Sequence, residues 1–184
     1  MVPQLPRRFA IVASASGNGK TTLGRVLASQ LELPFLELDS LFHGPTWTQP
    51  PIAEIRAQLE PVLAQPGWIV DGVYMTHLGK LVPDSADLII WLDLPIHVWL
   101  PRLLRRTHRR ISTHEELWNG NTESWRGVIF GTKALLPYAL RSHFRRRRQW
   151  PGEFGQTPVI RLRTQAGVEA FLLRAVATAG ADLG

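Results

Sequence analysis

Short, unbroken apolar runs alternate along this chain with longer stretches in which apolar residues return every three or four positions. Unbroken runs of four to seven read as strands buried on both faces, and the three-four spacing reads as helices with one packed face. Strands are expected at 9–12, 34–39, 68–72, 87–93 and 159–163. The second is expected to end on Asp39 and the third to carry Asp71 at its end. Helical spacing links Leu23, Val26, Leu27 and Leu31, and again Ile52, Ile55, Leu59, Val62 and Leu63. A short helix is expected over 75–81, and one over 96–106 that Pro101 should delay or bend. Residues 122–148 read as helical with interruptions, Pro137 among them, and Val168, Phe171, Leu172, Ala175 and Val176 as a closing helix. Residues 43–51 and 109–121 are turn-rich or polar and read as loops. Strands alternating with helices predict an α/β fold with a parallel sheet covered on both faces, and ligands at the carboxyl ends of its strands.

With 184 residues and 45% hydrophobic content, one domain over 1–184 with a substantial core is expected. There is no cysteine, which excludes disulfides and thiolate metal sites and fits a cytoplasmic setting. The arginine-bearing N-terminal stretch is too short in its apolar part for a signal peptide, and no run has the length of a membrane helix. Net charge is +6, carried mostly by arginine, with lysine only at positions 20, 80 and 133. That balance predicts anionic partners without separating nucleotide from nucleic acid. Of seven tryptophans, most are expected in packing roles.

The turn after the first strand carries the most specific chemistry. It reads Ser14-Ala15-Ser16-Gly17-Asn18-Gly19-Lys20-Thr21-Thr22 and runs straight into the first helical pattern. Strand, glycine-rich turn, Lys-Thr and helix form the phosphate-binding loop pattern. Its glycines let successive backbone N–H groups face phosphate oxygens, and the helix start adds its positive end. Lys20 would reach the β- and γ-phosphates, and the Thr21 hydroxyl would ligate Mg²⁺. The pattern asks for glycine where this chain has Ser14, so strain or an altered loop is expected there.

Asp39 and Asp71, each expected at a strand tip beside that turn, are the candidates to hold Mg²⁺ and orient an acceptor; Asp93 reads as structural. Arg102, Arg105, Arg106, Arg109 and Arg110 share one helical face, a cationic stripe that a polyphosphate would relieve of self-repulsion. Arg145, Arg146, Arg147 and Arg148 point all round a helix and read as a solvated run, with nucleic acid as the alternative partner. Trp47 is a candidate wall for the acceptor pocket, beside His43, Trp118 and Trp125, while Asn119-Gly120-Asn121 reads as a turn.

The ordered set SASGNGKTT, LELDSLF with Trp47 after it, WIVDGVY, DLIIWLDLP, RLLRR and ELWNGN resembles the adenylate-kinase-related P-loop proteins of bacteria, most closely the subgroup called topology modulation proteins. The resemblance implies a three-layer P-loop NTPase sandwich of the nucleoside monophosphate kinase type, with a five-stranded parallel sheet. It implies an acceptor-side segment near 40–66, a small lid near 107–121, and phosphoryl transfer from ATP with Mg²⁺. Carried over, Ser16, Gly17, Asn18, Gly19, Lys20, Thr21 and Thr22 with Arg102 and Arg106 would bind the nucleotide. Thr21, Asp39 and Asp71 would serve the metal, and Lys20, Asp39, Asp71, Arg106 and Arg110 the chemistry. Adenylate kinases have an arginine shortly after Asp-Gly, where this chain has Val73-Tyr74-Met75-Thr76, so AMP is a doubtful acceptor and Arg56 a possible substitute. A kinase acting on a nucleotide or small hydroxyl compound is the leading expectation, as monomer or homodimer and without a membrane partner. A nucleic-acid-associated ATPase is second, and a regulatory GTPase ranks below both because N-K-x-D and D-x-x-G are missing.

Overall fold

The computed structural model describes residues 6–129 and 134–181, with the side chains of 176 and 178–181 left aside. The sequence readings at residues 1–5, at Lys133 and at the Val176 side chain therefore lie outside the described residues. Five strands form one parallel sheet: β1 (Arg8–Ala13), β2 (Phe35–Glu37), β3 (Trp68–Asp71), β4 (Leu88–Leu92) and β5 (Val159–Leu162), in the order β2-β3-β1-β4-β5. Between them run α1 (Lys20–Leu31), α2 (Leu38–Phe42), α3 (Ile52–Leu63), α4 (Met75–Leu78), α5 (Leu81–Ser85), α6 (Ile96–Ser112), α7 (Trp125–Ile129) and α8 (Leu135–Glu153), and α9 (Gln165–Ala181) follows the last strand.

Alternation along each strand divides the core into two layers. Phe9, Ile11 and Ala13 of β1 face α1 and α9, packing with Leu23, Leu27, Phe171 and Leu172. Ala10 and Val12 face the other way, onto Leu38, Ile55, Leu59, Val82 and Trp150. A third, smaller cluster of Ala15, Trp99, Leu103 and Ala139 seats the turn after β1 on α6 and α8. Every residue of β3 and β4 is buried, as central strands of a doubly covered sheet require. No helix among the described residues is long and apolar enough to cross a membrane.

Several boundaries differ from the sequence expectation. The second strand stops at Glu37, and Asp39 belongs to α2 rather than to a strand tip. Leu38 and Phe42 are both buried four residues apart, a helical pairing that ends the strand early. The helix α6 starts at Ile96, passes through Pro101 and continues to Ser112. Leu103 and the buried Thr107 extend its packed face, so the first residues of the expected lid are helical. Residues 75–81 divide into α4 and α5 at Gly79, whose φ of 57° suits glycine. Pro137 does not interrupt α8, because it lies in the first turn, where its missing N–H has no helical acceptor.

Candidate phosphate and acceptor site

The turn between β1 and α1 is built on its two glycines. Gly17 has φ 85° and Gly19 φ 92°, values that L side chains rarely adopt. A Cβ on Gly17 would also stand 2.6 Å from the Trp99 carbonyl oxygen, so the loop rests directly on α6. The buried Asn18 side chain braces the loop from inside, donating to the Ala15 carbonyl at 2.8 Å and accepting from the Leu94 N–H at 2.9 Å. Ser16 is half-buried, whereas Thr22 is exposed on α1.

Ser14 overturns the expectation of strain. Its φ is not positive, and its N–H continues the sheet by bonding to the Leu92 carbonyl at 3.0 Å. Its fully buried hydroxyl accepts from Trp91 Nε1 at 2.9 Å and donates to Asp93 Oδ1 at 2.5 Å. Asp93 is the structural residue expected: it also takes Arg147 Nε at 3.1 Å and Arg161 Nη2 at 2.6 Å. The Arg161 guanidinium lies 3.9 Å from the Trp91 ring centroid.

Across the mouth of the turn, Lys20 Nζ meets the buried Asp71 Oδ1 at 2.5 Å. Burial pulls the Lys20 ammonium down, but Asp71 and Asp39 outweigh it and hold its pKa above the ordinary lysine value. The Thr21 hydroxyl donates to Asp71 Oδ2 at 2.7 Å, with Glu37 Oε1 3.3 Å away. Glu37 pairs with Asp71 in register at the tips of β2 and β3. It is the strand-tip acid that sequence reasoning assigned to Asp39. Burial, together with Asp71 and Asp39, raises the Glu37 carboxyl above its usual range.

Asp39, in the first turn of α2, accepts a hydrogen bond from the Tyr74 hydroxyl at 2.6 Å. Tyr74 has φ 43° just after Gly72, and its ring stacks on Phe42 with centroids 3.6 Å apart. Burial and the Asp39 carboxylate push the Tyr74 phenol up, so it stays a neutral donor.

The arginines of α6 divide. Arg106 is drawn inward and its Nε has no hydrogen-bond partner among the described residues. Burial and Arg110 lower its pKa against the attraction of Glu123, Asp39 and Glu37. Arg110 is paired with Glu115 at 3.3 Å and Glu123 at 2.9 Å, and Arg109 with Glu115 at 3.1 Å. Arg102 reaches Gln165 at 3.0 Å, and Arg105 turns back to the Pro101 carbonyl. The five therefore do not act as one free stripe. Arg56 pairs with Glu60 on the exposed face of α3.

The run 145–148 is helical, with Arg145, Arg147 and Arg148 exposed as the solvated reading expects. Arg146 departs from it, half-buried and bonded to the Ala13 carbonyl at 2.9 Å, and Arg147 reaches Asp93 from the surface. Asn119-Gly120-Asn121 is more than a turn. Asn121 accepts from the Trp47 N–H at 2.8 Å and donates to the carbonyls of Gly44 and Trp118, while Asn119 donates to the His43 carbonyl at 2.6 Å. Trp47 Nε1 points to the Thr122 carbonyl at 3.3 Å, and the His43 ring lies between Trp47 and Trp118. The loop after α2 and the loop after α6 are thus stitched together. A separate groove lined by Trp91, Pro151, Phe154 and Arg161 lies against the β5 edge, and its one charged group is already held by Asp93.

Among the described residues no group of three or more His, Asp or Glu side chains stands ready to enclose a metal. The Thr21 hydroxyl with Asp71 and Glu37 is an oxygen-only set that suits Mg²⁺ when phosphate and water complete the shell.

No family model matches this sequence, and no curated protein matches it. Solved structures do. A shikimate kinase from Bacteroides thetaiotaomicron is 16% identical with a TM-score of 0.53, over 95% of this chain and 98% of that one. A shikimate kinase from Acinetobacter baumannii, solved with shikimate, is 17% identical with a TM-score of 0.53, over 95% of each chain. A deoxyadenosine kinase from M. mycoides, solved with bound dATP, is 12% identical with a TM-score of 0.52, over 90% of this chain and 97% of that one. The fold is that of P-loop kinases of the nucleoside monophosphate kinase type.

Proposed function

We propose that the protein is an ATP-dependent phosphotransferase that moves the γ-phosphoryl group of Mg·ATP to a hydroxyl group of a small acceptor. One observation carries this reading: Lys20, Thr21, Asp71 and Glu37 converge at the glycine turn, with Asp39 beside them on the next element. The backbone of 16–20 would cradle the phosphates, and Lys20 would leave Asp71 to neutralise charge on the β- and γ-phosphates. Thr21, Asp71 and Glu37 would hold Mg²⁺, which when bound draws charge from the phosphate oxygens. Arg106, whose buried Nε has no hydrogen-bond partner among the described residues, would face the transferring group.

Tyr74 engages Oδ1 of Asp39 and leaves Oδ2 for the acceptor hydroxyl. In transfer, the acceptor oxygen bonds to the γ-phosphorus as the bond from that phosphorus to the β–γ bridging oxygen breaks. Asp39 takes the hydroxyl proton, and ADP and a phosphate ester leave. A hydroxyl acceptor is favoured over AMP, because 73–76 holds no arginine and Arg56 is spent on Glu60 at the surface. The likeness to topology modulation proteins rests on sequence motifs alone. With Arg146 bonded to the Ala13 carbonyl and Arg147 to Asp93, the run 145–148 offers nucleic acid less than its composition suggests.

Calorimetry with Mg·ATP, followed by a screen of hydroxy acids, sugars, nucleosides and nucleoside monophosphates with labelled ATP, tests the proposal. Saturable Mg·ATP binding and a labelled product are expected. A flat titration, or tight ATP binding with no product from any acceptor class, would sink it.

A further inference from the structure

Arg146 is the cation of this site that neither the phosphate loop nor its carboxylates explain. It leaves α8 and donates from Nη1 to the Ala13 carbonyl at 2.9 Å and from Nη2 to the Tyr138 hydroxyl at 3.2 Å. Its guanidinium carbon lies 5.1 Å from the Trp150 ring centroid. All of these partners are neutral. Arg110 and Arg161, half-buried on α6 and β5, each meet a carboxylate, as does the more exposed Arg147 of α8, while Arg102 reaches Gln165 near the surface. A half-buried cation without a counter-ion is costly, and such groups collect where an anion binds.

Its neighbours locate that anion. Trp150, whose ring the guanidinium approaches, packs in the same core layer as Leu38, Phe42 and Val73, with Tyr74 against it. The Ala13 carbonyl that Arg146 caps ends β1 at the phosphate loop, and the Asp39 carboxylate also acts on Arg146. The guanidinium therefore stands on the acceptor side of the phosphate loop. The transferring phosphoryl group already has Lys20, the glycine turn and Arg106. Arg56, the other candidate for an acceptor anion, lies out on α3.

We propose that Arg146 anchors an anionic group of the acceptor, which makes the acceptor a small hydroxyl compound bearing a carboxylate or a phosphate. This rests on the phosphotransferase reading above. A guanidinium held by a carbonyl and a phenol keeps part of its fork free, and that fork suits either anion. The sugar or carbon skeleton would lie over Tyr74, with its hydroxyl at Asp39 and its anion at Arg146.

The test uses the full chain saturated with Mg·AMP-PNP, so that the γ-position is filled. It is titrated in the calorimeter with inorganic phosphate and, separately, with glycolate, against chloride at matched ionic strength. One of the two should bind at a single site; phosphate identifies a phosphate-bearing acceptor and glycolate a hydroxy acid. Arg146→Gln should weaken that binding about tenfold or more. Arg146→Lys, which keeps charge and stem, should weaken it by roughly threefold through loss of the fork. Arg56→Gln should leave it unchanged, and AMP-PNP affinity should stay within about twofold of wild type in all three, the fork lying clear of the nucleotide. Nucleotide-loaded wild type that binds neither anion, or unchanged binding in both Arg146 variants, overturns the anchor while leaving the kinase reading standing. So does a loss of AMP-PNP affinity in folded Arg146→Gln, which would give Arg146 to the nucleotide. Wild type that fails to take Mg·AMP-PNP overturns the kinase reading, and this anchor with it.

Discussion

Lys20 and Asp71 form an ion pair of 2.5 Å across the opening of the glycine turn, and the carboxylate end of that pair is fully buried. In this arrangement the lysine already has an anionic partner. Binding must exchange one anionic partner for another, so the pair sets both stability and affinity.

Lys20→Ala should therefore do two separable things. It leaves Asp71 buried without its cation, which costs about 3 kcal/mol or more of stability. It also removes the mobile cation of the phosphate site. Adding Asp71→Asn to Lys20→Ala should recover most of the stability without restoring nucleotide affinity. Chemical unfolding and Mg·ATP calorimetry on the single and double variants read the two effects apart. Equal loss of stability in both variants would remove the pair from the explanation.

Glu37 stands against Asp71 and Asp39 with its carboxyl raised by burial first and by those two charges second. The folded state thus holds the Glu37 proton more tightly than the unfolded chain does. Its contribution favours the ligand-free fold in mild acid and is lost as pH rises through the raised value. Glu37→Gln removes the repulsion at all pH and should stabilise the ligand-free protein by about 1 kcal/mol, a Tm rise of roughly 2–4 °C. Mg²⁺ competes with the same proton. Mg·ATP affinity should fall as pH drops through that range, with proton release visible when calorimetry is repeated in buffers of different ionisation enthalpy. In Glu37→Gln that proton release should vanish.

Lys20, Thr21 and Asp71 were legible because each is fixed by its immediate neighbours: a strand, a glycine turn, a helix start, and a second strand tip. Glu37 was hidden by two apolar residues with two meanings. Leu36 and Leu38 alternate with acids as in a strand, while Leu38 and Phe42 pair as in a helix, and the buried helical pair decides where the strand stops. Arg146 was hidden in four identical residues, which carry no direction of their own. The signal lay outside the run, in Ala139, His143 and Trp150: with Arg146 they are spaced four, three and four apart and share the inward side of α8. The bonds of Asn121 join segments more than seventy residues apart, and no local pattern announces such a contact.

Ser14 yields a prediction against the motif. Restoring the glycine that the phosphate-loop pattern prefers should weaken this protein. Ser14→Gly leaves the buried Trp91 Nε1 without its acceptor and takes a donor from Asp93, a loss of about 1–3 kcal/mol per group left unpaired. It gains nothing at φ, because Ser14 does not have the positive φ that favours glycine. Urea unfolding should show the lower midpoint, and Ser14→Thr should keep part of the bonding if its methyl is accommodated. A midpoint equal to wild type in Ser14→Gly would show the hydroxyl to be dispensable.

Asn121 fastens the loop at 43–48 to the loop at 117–122 through two hydrogen bonds, accepting from the Trp47 N–H and donating to the Gly44 carbonyl, and a third to the Trp118 carbonyl holds it in its own loop. The contact is made between short 3₁₀ turns at Pro45–Trp47 and Trp118–Gly120, which have little apolar packing of their own. Both contain non-glycine residues at positive φ, Thr46 and Trp47 in the first and Asn119 in the second, that the clasp must hold in place. Asn121→Ala should release both loops together while the sheet and α1 are unaffected. Hydrogen exchange should accelerate at Trp47, Thr48 and Gly120 in step, by roughly tenfold to a hundredfold for the loss of a buried amide worth about 1–3 kcal/mol. Tryptophan emission should shift to the red as Trp47 and Trp118 separate from His43. Faster exchange in only one loop would mean that the two segments open independently and that Asn121 belongs to the turn of its own loop.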